Sequence, residues 1–140
     1  MTKTIHRYLR LINWKVIHSL PQKNIIINSD NGIFAINNKD WLIGKQLYVN
    51  RAFEIIEMDR AIANLRMTGW LPTGRSTLID AGANIGMISI AMLRREYFQH
   101  AIAFEPTPST YKLLVENVQR NGLHEAIHCV PMALLTSSPS

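Results

Sequence analysis

The sequence predicts an α/β fold built on a parallel sheet, and one pattern carries that prediction. From residue 76 to residue 130, short apolar runs alternate with helical periodicity in the order strand, glycine turn, helix, strand, helix, strand. Strands separated by helices form parallel sheets through right-handed crossovers. The composition, with 47% hydrophobic and 18% charged residues, is that of a globular chain. We therefore expect a Rossmann-like sheet of three parallel strands, preceded by a helix and a hairpin.

Two broad classes are excluded by composition. The single cysteine, Cys129, cannot form an intramolecular disulfide, which excludes a small disulfide-stapled scaffold. The longest uncharged apolar stretch, 81–93, has thirteen residues, fewer than the roughly 18 that a membrane-spanning helix needs. We expect no transmembrane segment and place the protein in the cytoplasm.

The N-terminal helix is predicted over 4–20, ending before Pro21. The apolar residues that recur at helical spacing, and that would face the core, are Ile5, Leu9, Ile12, Val16 and Leu20. Two β-type runs follow, 24–28 and 33–36. They flank the step Asn31-Gly32, which favours a hairpin because both residues tolerate positive φ.

A second helix is expected over 51–67, closed by Gly69 and Pro72. A boundary near 69–76 then divides the chain. We predict a lead-in region over 1–75 and a sheet domain over 76–140.

Within the sheet domain, the expected elements follow from apolar runs and helix caps. The predicted strands are 77–80, 101–104 and 127–130. The first helix follows Gly86 and extends to about residue 97. The second has Thr107 as its N-cap and Pro108 at the first helical position, and it ends at Asn121. On this helix, Asn117 is predicted to lie on the surface and Asn121 at the C-cap.

The net charge of +5 comes from the first 23 residues, because 24–140 contain ten basic and ten acidic residues. The five basic residues of this arm are Lys3, Arg7, Arg10, Lys15 and Lys23. An anionic surface, either nucleic acid or membrane, is one interpretation. We favour a solvated helix face, because no basic and aromatic stripe continues into the body.

The stretch from Asp80 to Gly86 places a carboxylate and a glycine turn between a strand and a helix. A dinucleotide fingerprint requires glycines where this chain has Asp80 and Ile85, so only Gly82 fits it. A pyrophosphate about 4 Å from Asp80 would be repelled by about 1–4 kcal/mol. A cationic ligand such as S-adenosyl-L-methionine, which carries an ammonium and a sulfonium, suits this carboxylate better than a nicotinamide dinucleotide does.

A second acid, Glu105, ends the next predicted strand, 25 residues after Asp80. An acid at the tip of the neighbouring strand accepts hydrogen bonds from ribose hydroxyls in Rossmann-type sheets. Pro106 cannot continue the strand ladder. We expect the Asp80 and Glu105 side chains to face one shared hollow at the carboxyl ends of the strands.

The segments 80–86 and 103–106 resemble motifs of the FkbM family of S-adenosylmethionine-dependent methyltransferases, and so do Leu114, Asn117, Asn121 and Ala133-Leu134. The resemblance extends over roughly residues 30–135. The resemblance implies a class I methyltransferase fold that methylates a hydroxyl of a sugar or small molecule. It places four residues at the methionine end of the cofactor: Asp80, Gly82, Asn84 and Gly86. It places Glu105 at the ribose, Pro106 at the pocket edge, and Met132 and Ala133 near the adenine. Phe53-Glu54 also matches a family position.

The family's fold continues past the third strand with an acidic, glycine-containing motif near the substrate, and nothing in this sequence corresponds to it. We therefore expect the chain alone to be inactive, as an incomplete enzyme or as half of a split one. The edge of the first strand, 77–80, would be open to self-association. The alternative is a non-catalytic nucleotide-binding or interaction module. No catalytic residue can be named, and no nucleic-acid partner is expected.

One further motif, His124-Glu125-Ala126-Ile127-His128, matches the zinc-protease pattern H-E-x-x-H. That chemistry requires both histidines on one helical face. Here Gly122 has ended a helix and 127–130 is predicted to be a strand, in which residues four apart lie about 13 Å from each other. We therefore expect no metal site.

Overall fold

The computed structural model describes residues 2–71 and 76–134. Half of the predicted boundary at 69–76 (residues 72–75, with Pro72) and the tail 135–140 lie outside these ranges. Its elements are α1 (Thr2–Ser19), β1 (Asn24–Ser29), β2 (Gly32–Asn37), α2 (Ile43–Asn50), α3 (Ile55–Met67), β3 (Thr77–Ala81), α4 (Met87–Arg94), β4 (His100–Phe104), α5 (Pro108–Arg120) and β5 (Ile127–Val130). No helix in the described ranges is both long and apolar enough to span a bilayer.

The second half of the chain forms the predicted parallel sheet, in the order β3-β4-β5. Leu78 is in register with Ala101, which is in register with Ile127. Side chains alternate between the two faces of a sheet. This row therefore faces α4 and α5, whereas Ile79, on the other face, keeps 55% of its surface exposed. Helices cover one face of the sheet within the part of the chain that the structure describes.

The hairpin β1-β2 lies where it was predicted, but its turn is different. Ser29 pairs with Gly32, so the two central turn residues are Asp30 and Asn31 rather than Asn31 and Gly32. Asn31 is fully buried. β2 packs against α4 and α5, which thus contact both the hairpin and the parallel sheet.

Two asparagines, Asn117 on α5 and Asn121 at its C-cap, hold the free edge of β2. The Asn117 Oδ1 accepts the Ala35 N–H at 2.6 Å, and the Asn117 Nδ2 donates to the carbonyls of Ala35 at 3.2 Å and Ile85 at 3.0 Å. One turn later, Asn121 makes the same paired bonds with the N–H and carbonyl of Ile33, at 3.0 and 2.7 Å. The prediction that Asn117 lies on the surface is wrong, because it is fully buried. Asn121 is the C-cap residue, as predicted.

The predicted helix over 51–67 begins later, at Ile55, and an unpredicted helix, α2, precedes it. Arg51 and Glu54 have left-handed backbone angles, with φ of 62° and 51°, and these interrupt the helical path. The Arg51 carbonyl accepts the Asp30 N–H at 2.7 Å. This hydrogen bond to the hairpin turn stabilises the non-helical segment between α2 and α3.

Helix α1 packs through the face opposite to the one predicted. Four of the five residues predicted to face the core, Ile5, Leu9, Ile12 and Val16, each keep 46–57% of their surface exposed. Trp14 is instead fully buried, 5.4 Å from the ring of Tyr48, and the His18 Nδ1 lies 3.0 Å from the Asn38 carbonyl oxygen. The expected apolar stripe therefore points to solvent, because aromatic packing and hydrogen bonds dock the other face.

Replacing Asn117 with Asp tests the bridge between β2 and α5. A carboxylate cannot donate to the carbonyls of Ala35 and Ile85 and buries a charge, so the free energy of unfolding should fall by about 3 kcal/mol. Gln119→Glu makes the same amide-to-acid change at an exposed position of α5 and should have little effect. Urea denaturation measures both, and equal losses would contradict the bridge.

Candidate functional site

The turn between β3 and α4, residues 82–86, is held to the end of the neighbouring strand. The N–H groups of Gly82 and Ala83 both donate to the Phe104 carbonyl, at 2.9 and 2.8 Å. Three of the five turn residues have left-handed angles: Gly82 (φ 79°), Asn84 (φ 51°) and Gly86 (φ 85°). Glycine and asparagine adopt this conformation most readily, which explains these residue types.

The two glycines of this turn serve different purposes. A Cβ at Gly86 would lie 2.7 Å from the Leu114 Cδ1, so this glycine allows the start of α4 to pack closely against α5. A Cβ at Gly82 would meet no heavy atom within 4 Å. The main chain at Gly82 is therefore open to a ligand.

Glu105 lies just beyond β4 and is buried, with 7% of its surface exposed. Its Oε2 accepts the Asn84 N–H at 3.1 Å, and its Oε1 accepts the Thr107 N–H at 2.8 Å. The predicted site residues Asn84 and Glu105 are thus brought together. A carboxylate has about four acceptor positions, so roughly two remain for a ligand. Thr107 is the N-cap as predicted, but it makes no side-chain capping bond.

Asp80 is directed toward α4. Its Oδ2 accepts a hydrogen bond from the Ser89 hydroxyl at 2.6 Å, and sequence analysis did not single out that serine. Asp80 is in register with Ala103 on β4, whereas Glu105 lies beyond the end of that strand. Asp80 therefore contacts α4 whereas Glu105 contacts the turn, and their joint role in binding stays a prediction.

The remaining predicted site residues lie near the same end of the sheet. Pro106 follows β4, and Met132 and Ala133 follow β5. All three are exposed, Met132 by 58%. Their proposed contacts with a ligand remain predictions.

A cavity of about 610 Å³ lies beside the turn, between the hairpin and the start of α5. Asn84 lines it, but neither Asp80 nor Glu105 does, so this cavity is not the shared hollow that was expected. Its polar lining includes Asn24, Asn37, Asp40, Ser109 and Thr110. Sequence analysis missed it because these residues come from four separate segments.

Asn31 connects the lead-in region to the start of α4. Its Oδ1 accepts the Phe53 N–H at 2.9 Å, and its Nδ2 donates to the Phe53 carbonyl at 2.9 Å and to the Met87 Sδ at 3.2 Å. Met87 is the first residue of α4. Phe53, which the family resemblance singled out, therefore lies close to the start of that helix.

Within residues 2–71 and 76–134, the pKa values of two groups are shifted, and neither group lies on the turn. Burial raises the pKa of the Cys129 thiol, which is therefore protonated and a poor nucleophile at neutral pH. The hydrogen bond to Asp59 raises the pKa of the Tyr97 hydroxyl. The H-E-x-x-H segment is not helical: His124 lies in a turn and His128 in β5, as predicted.

Comparisons with known proteins point to a methyltransferase-like fold. No family model matches the chain. Over 61 residues it is 34% identical to methyltransferase SdnD from Sordaria araneosa, a match that covers 44% of this chain and 24% of that protein. The fold is similar to that of PH0793 from Pyrococcus horikoshii, a protein described as a candidate transferase. The TM-score is 0.56 at 16% identity, over 79% of this chain and 36% of that one.

The matches therefore span about a quarter of the curated relative and about a third of the solved chain. Together they support a methyltransferase-like α/β fold, in agreement with the parallel sheet and the glycine turn. They do not extend to the FkbM family, the cofactor or the acceptor.

Glu105→Gln tests how the turn is held. A carboxamide places an NH₂ group opposite one of the two N–H donors, which should lower the free energy of unfolding by about 2 kcal/mol. Hydrogen exchange at the amides of Asn84 and Thr107 should accelerate. Glu125→Gln makes the same change at an exposed residue and serves as the control. Unchanged protection of both amides in the Glu105 variant would contradict this arrangement.

Proposed function

We propose that this chain contains the S-adenosylmethionine-binding part of a methyltransferase. The observation that carries the proposal is the buried Glu105 carboxylate, which accepts a hydrogen bond from the Asn84 N–H in the glycine turn after the adjacent strand. The same turn leaves space beside the main chain of Gly82. Parallel α/β sheets bind ligands at the carboxyl ends of their strands. The similarity to methyltransferase SdnD supports the same class.

The residues present fit this cofactor. The open space at Gly82 admits a ligand to the main chain, as the methionine end requires. The free oxygen of Asp80 suits an ammonium group, and the spare acceptor positions of Glu105 suit ribose hydroxyls. Asn84 and Gly86 shape the turn, and Pro106, Met132 and Ala133 are proposed to border the nucleoside.

When bound, S-adenosylmethionine supplies an electrophilic methyl carbon attached to a sulfonium. The residues of this chain would bind that group and orient it toward an acceptor oxygen. Orientation alone provides a large part of the rate enhancement in such reactions. No residue on this turn is assigned as a general base.

A hydroxyl-bearing acceptor, such as a sugar or another small molecule, is the substrate class implied by the FkbM resemblance. The cavity beside Asn84 supports that class, because amide, carboxylate and hydroxyl side chains line it. These groups both donate and accept hydrogen bonds, as recognition of several hydroxyls requires.

A non-catalytic interaction module is the second candidate, and the edge of β3 favours it. Among the described residues β3 pairs on one side only, with β4, and Thr77, Ile79 and Ala81 are exposed. Unpaired strand edges recruit further strands. Sedimentation that depends on protein concentration, with cofactor binding but no methyl transfer, would favour this candidate.

Gly82→Ala tests the proposed cofactor site. The added methyl group would occupy the space needed by the ligand, so calorimetric affinity for S-adenosylmethionine should fall at least about tenfold. Gly122→Ala is the matched control, since Gly122 also has positive φ (69°) and open space at its Cβ. Both variants carry the same backbone strain, of about 1–2 kcal/mol, but Gly122 lies outside the turn.

The wild-type chain should bind S-adenosylmethionine, and Gly122→Ala should bind it equally well. Absence of binding by the wild type at millimolar cofactor would refute the proposal. Equal affinity of the Gly82 and Gly122 variants would refute the placement of the cofactor on this turn.

A further inference from the structure

A second cavity, of about 400 Å³, lies away from the glycine turn, between α1 and the end of α2. Its lining residues are His6, Arg7, Arg10, Asn50 and Arg51. Three arginines and a histidine thus line one hollow. We propose that this cavity binds a phosphate group.

The three arginines are fixed in place by neutral oxygens. The Arg7 Nε donates to the Asn50 Oδ1 at 2.8 Å, and the Arg10 Nε donates to the Val49 carbonyl at 2.7 Å. The Arg51 Nη1 donates to the Asn28 carbonyl at 2.9 Å. These bonds orient the side chains and leave the terminal nitrogens of Arg7 and Arg10 available to a ligand.

The cavity lacks a compensating negative charge within the described ranges. None of its arginines forms a salt bridge to a carboxylate there. Asp30, whose N–H bonds to the Arg51 carbonyl, makes no ion pair with that residue either. Like charges around one hollow repel each other, so an anion bound between them relieves the repulsion.

Phosphate fits this group better than a single carboxylate does. Its several oxygens accept bonds from more than one guanidinium fork, and the forks bind phosphate in a bidentate manner. An extended nucleic acid is disfavoured, since the outward face of α1 is an apolar stripe rather than a continuing basic track.

The phosphate has two chemical sources, a soluble phosphorylated molecule or a lipid headgroup. The apolar stripe of α1, made of Ile5, Leu9, Ile12 and Val16, is a surface that acyl chains contact in membrane-bound helices. Both sources present the same phosphate group to Arg7, Arg10 and Arg51, and binding to vesicles distinguishes between them.

The first arm measures the melting temperature of the 140-residue chain with inorganic phosphate and with sodium chloride at equal ionic strength. Saturating phosphate should raise the Tm by about 5 °C beyond the chloride control. Arg10→Gln should weaken phosphate binding at least about tenfold. Arg60→Gln removes the same charge from an exposed site on α3 and should leave binding unchanged.

Arg10→Gln also removes the bond to the Val49 carbonyl, so a second readout keeps the test valid if that variant unfolds. In the wild-type chain, the NMR signals of the Arg7 and Arg10 Nε–H groups should shift on titration with phosphate and not with chloride. Absence of these shifts, or equal Tm changes with phosphate and chloride, would overturn the proposal.

The second arm uses vesicles of phosphatidylcholine with and without phosphatidylglycerol. A lipid headgroup is identified as the source if the chain cosediments with the vesicles that contain phosphatidylglycerol and not with those that lack it. Ile12→Gln and Arg10→Gln should then both weaken this cosedimentation. A response to soluble phosphate without cosedimentation identifies a soluble ligand. Failure of both arms refutes the phosphate site and leaves the cofactor proposal at Gly82 unaffected.

Discussion

The buried amide of Asn117 is the interaction on which the described fold most depends. It connects three segments at once: the helix α5 that carries it, the backbone of Ala35 in β2, and the carbonyl of Ile85 in the glycine turn. A buried amide is stable only when its donors and acceptors are paired, and this one is paired on both sides. The hairpin is thereby part of the support of the turn.

Hydrogen bonds from other directions complete that support. Glu105 holds Asn84, the Phe104 carbonyl holds Gly82 and Ala83, and Asn31 contacts the first residue of α4. A turn held in this way does not need to be ordered by its ligand, which lowers the conformational cost of binding. The open space at Gly82 is consequently a preformed feature of the chain.

Local patterns predicted the parallel sheet well, because glycine, proline and short apolar runs mark its elements directly. Strand β5 and the ends of α5 match the prediction, and the glycine turn lies where it was expected. The role of Asn117 was not predictable, since its partner Ala35 lies 82 residues away in sequence. Helix α1 was misassigned for a similar reason: hydrophobic periodicity does not reveal that hydrogen bonds and Trp14 dock the opposite face.

The inverted packing of α1 has a consequence for sequence variation. Its outward aliphatic residues contribute little buried area, so exchanges to glutamine or lysine there should leave folding nearly intact. Trp14 and the hydrogen-bonded arginines should instead tolerate few replacements. Natural or laboratory variants of this helix will then show its outward aliphatic positions drifting freely while Trp14 and the hydrogen-bonded arginines stay constant, the reverse of what the hydrophobic periodicity of an amphipathic segment suggests.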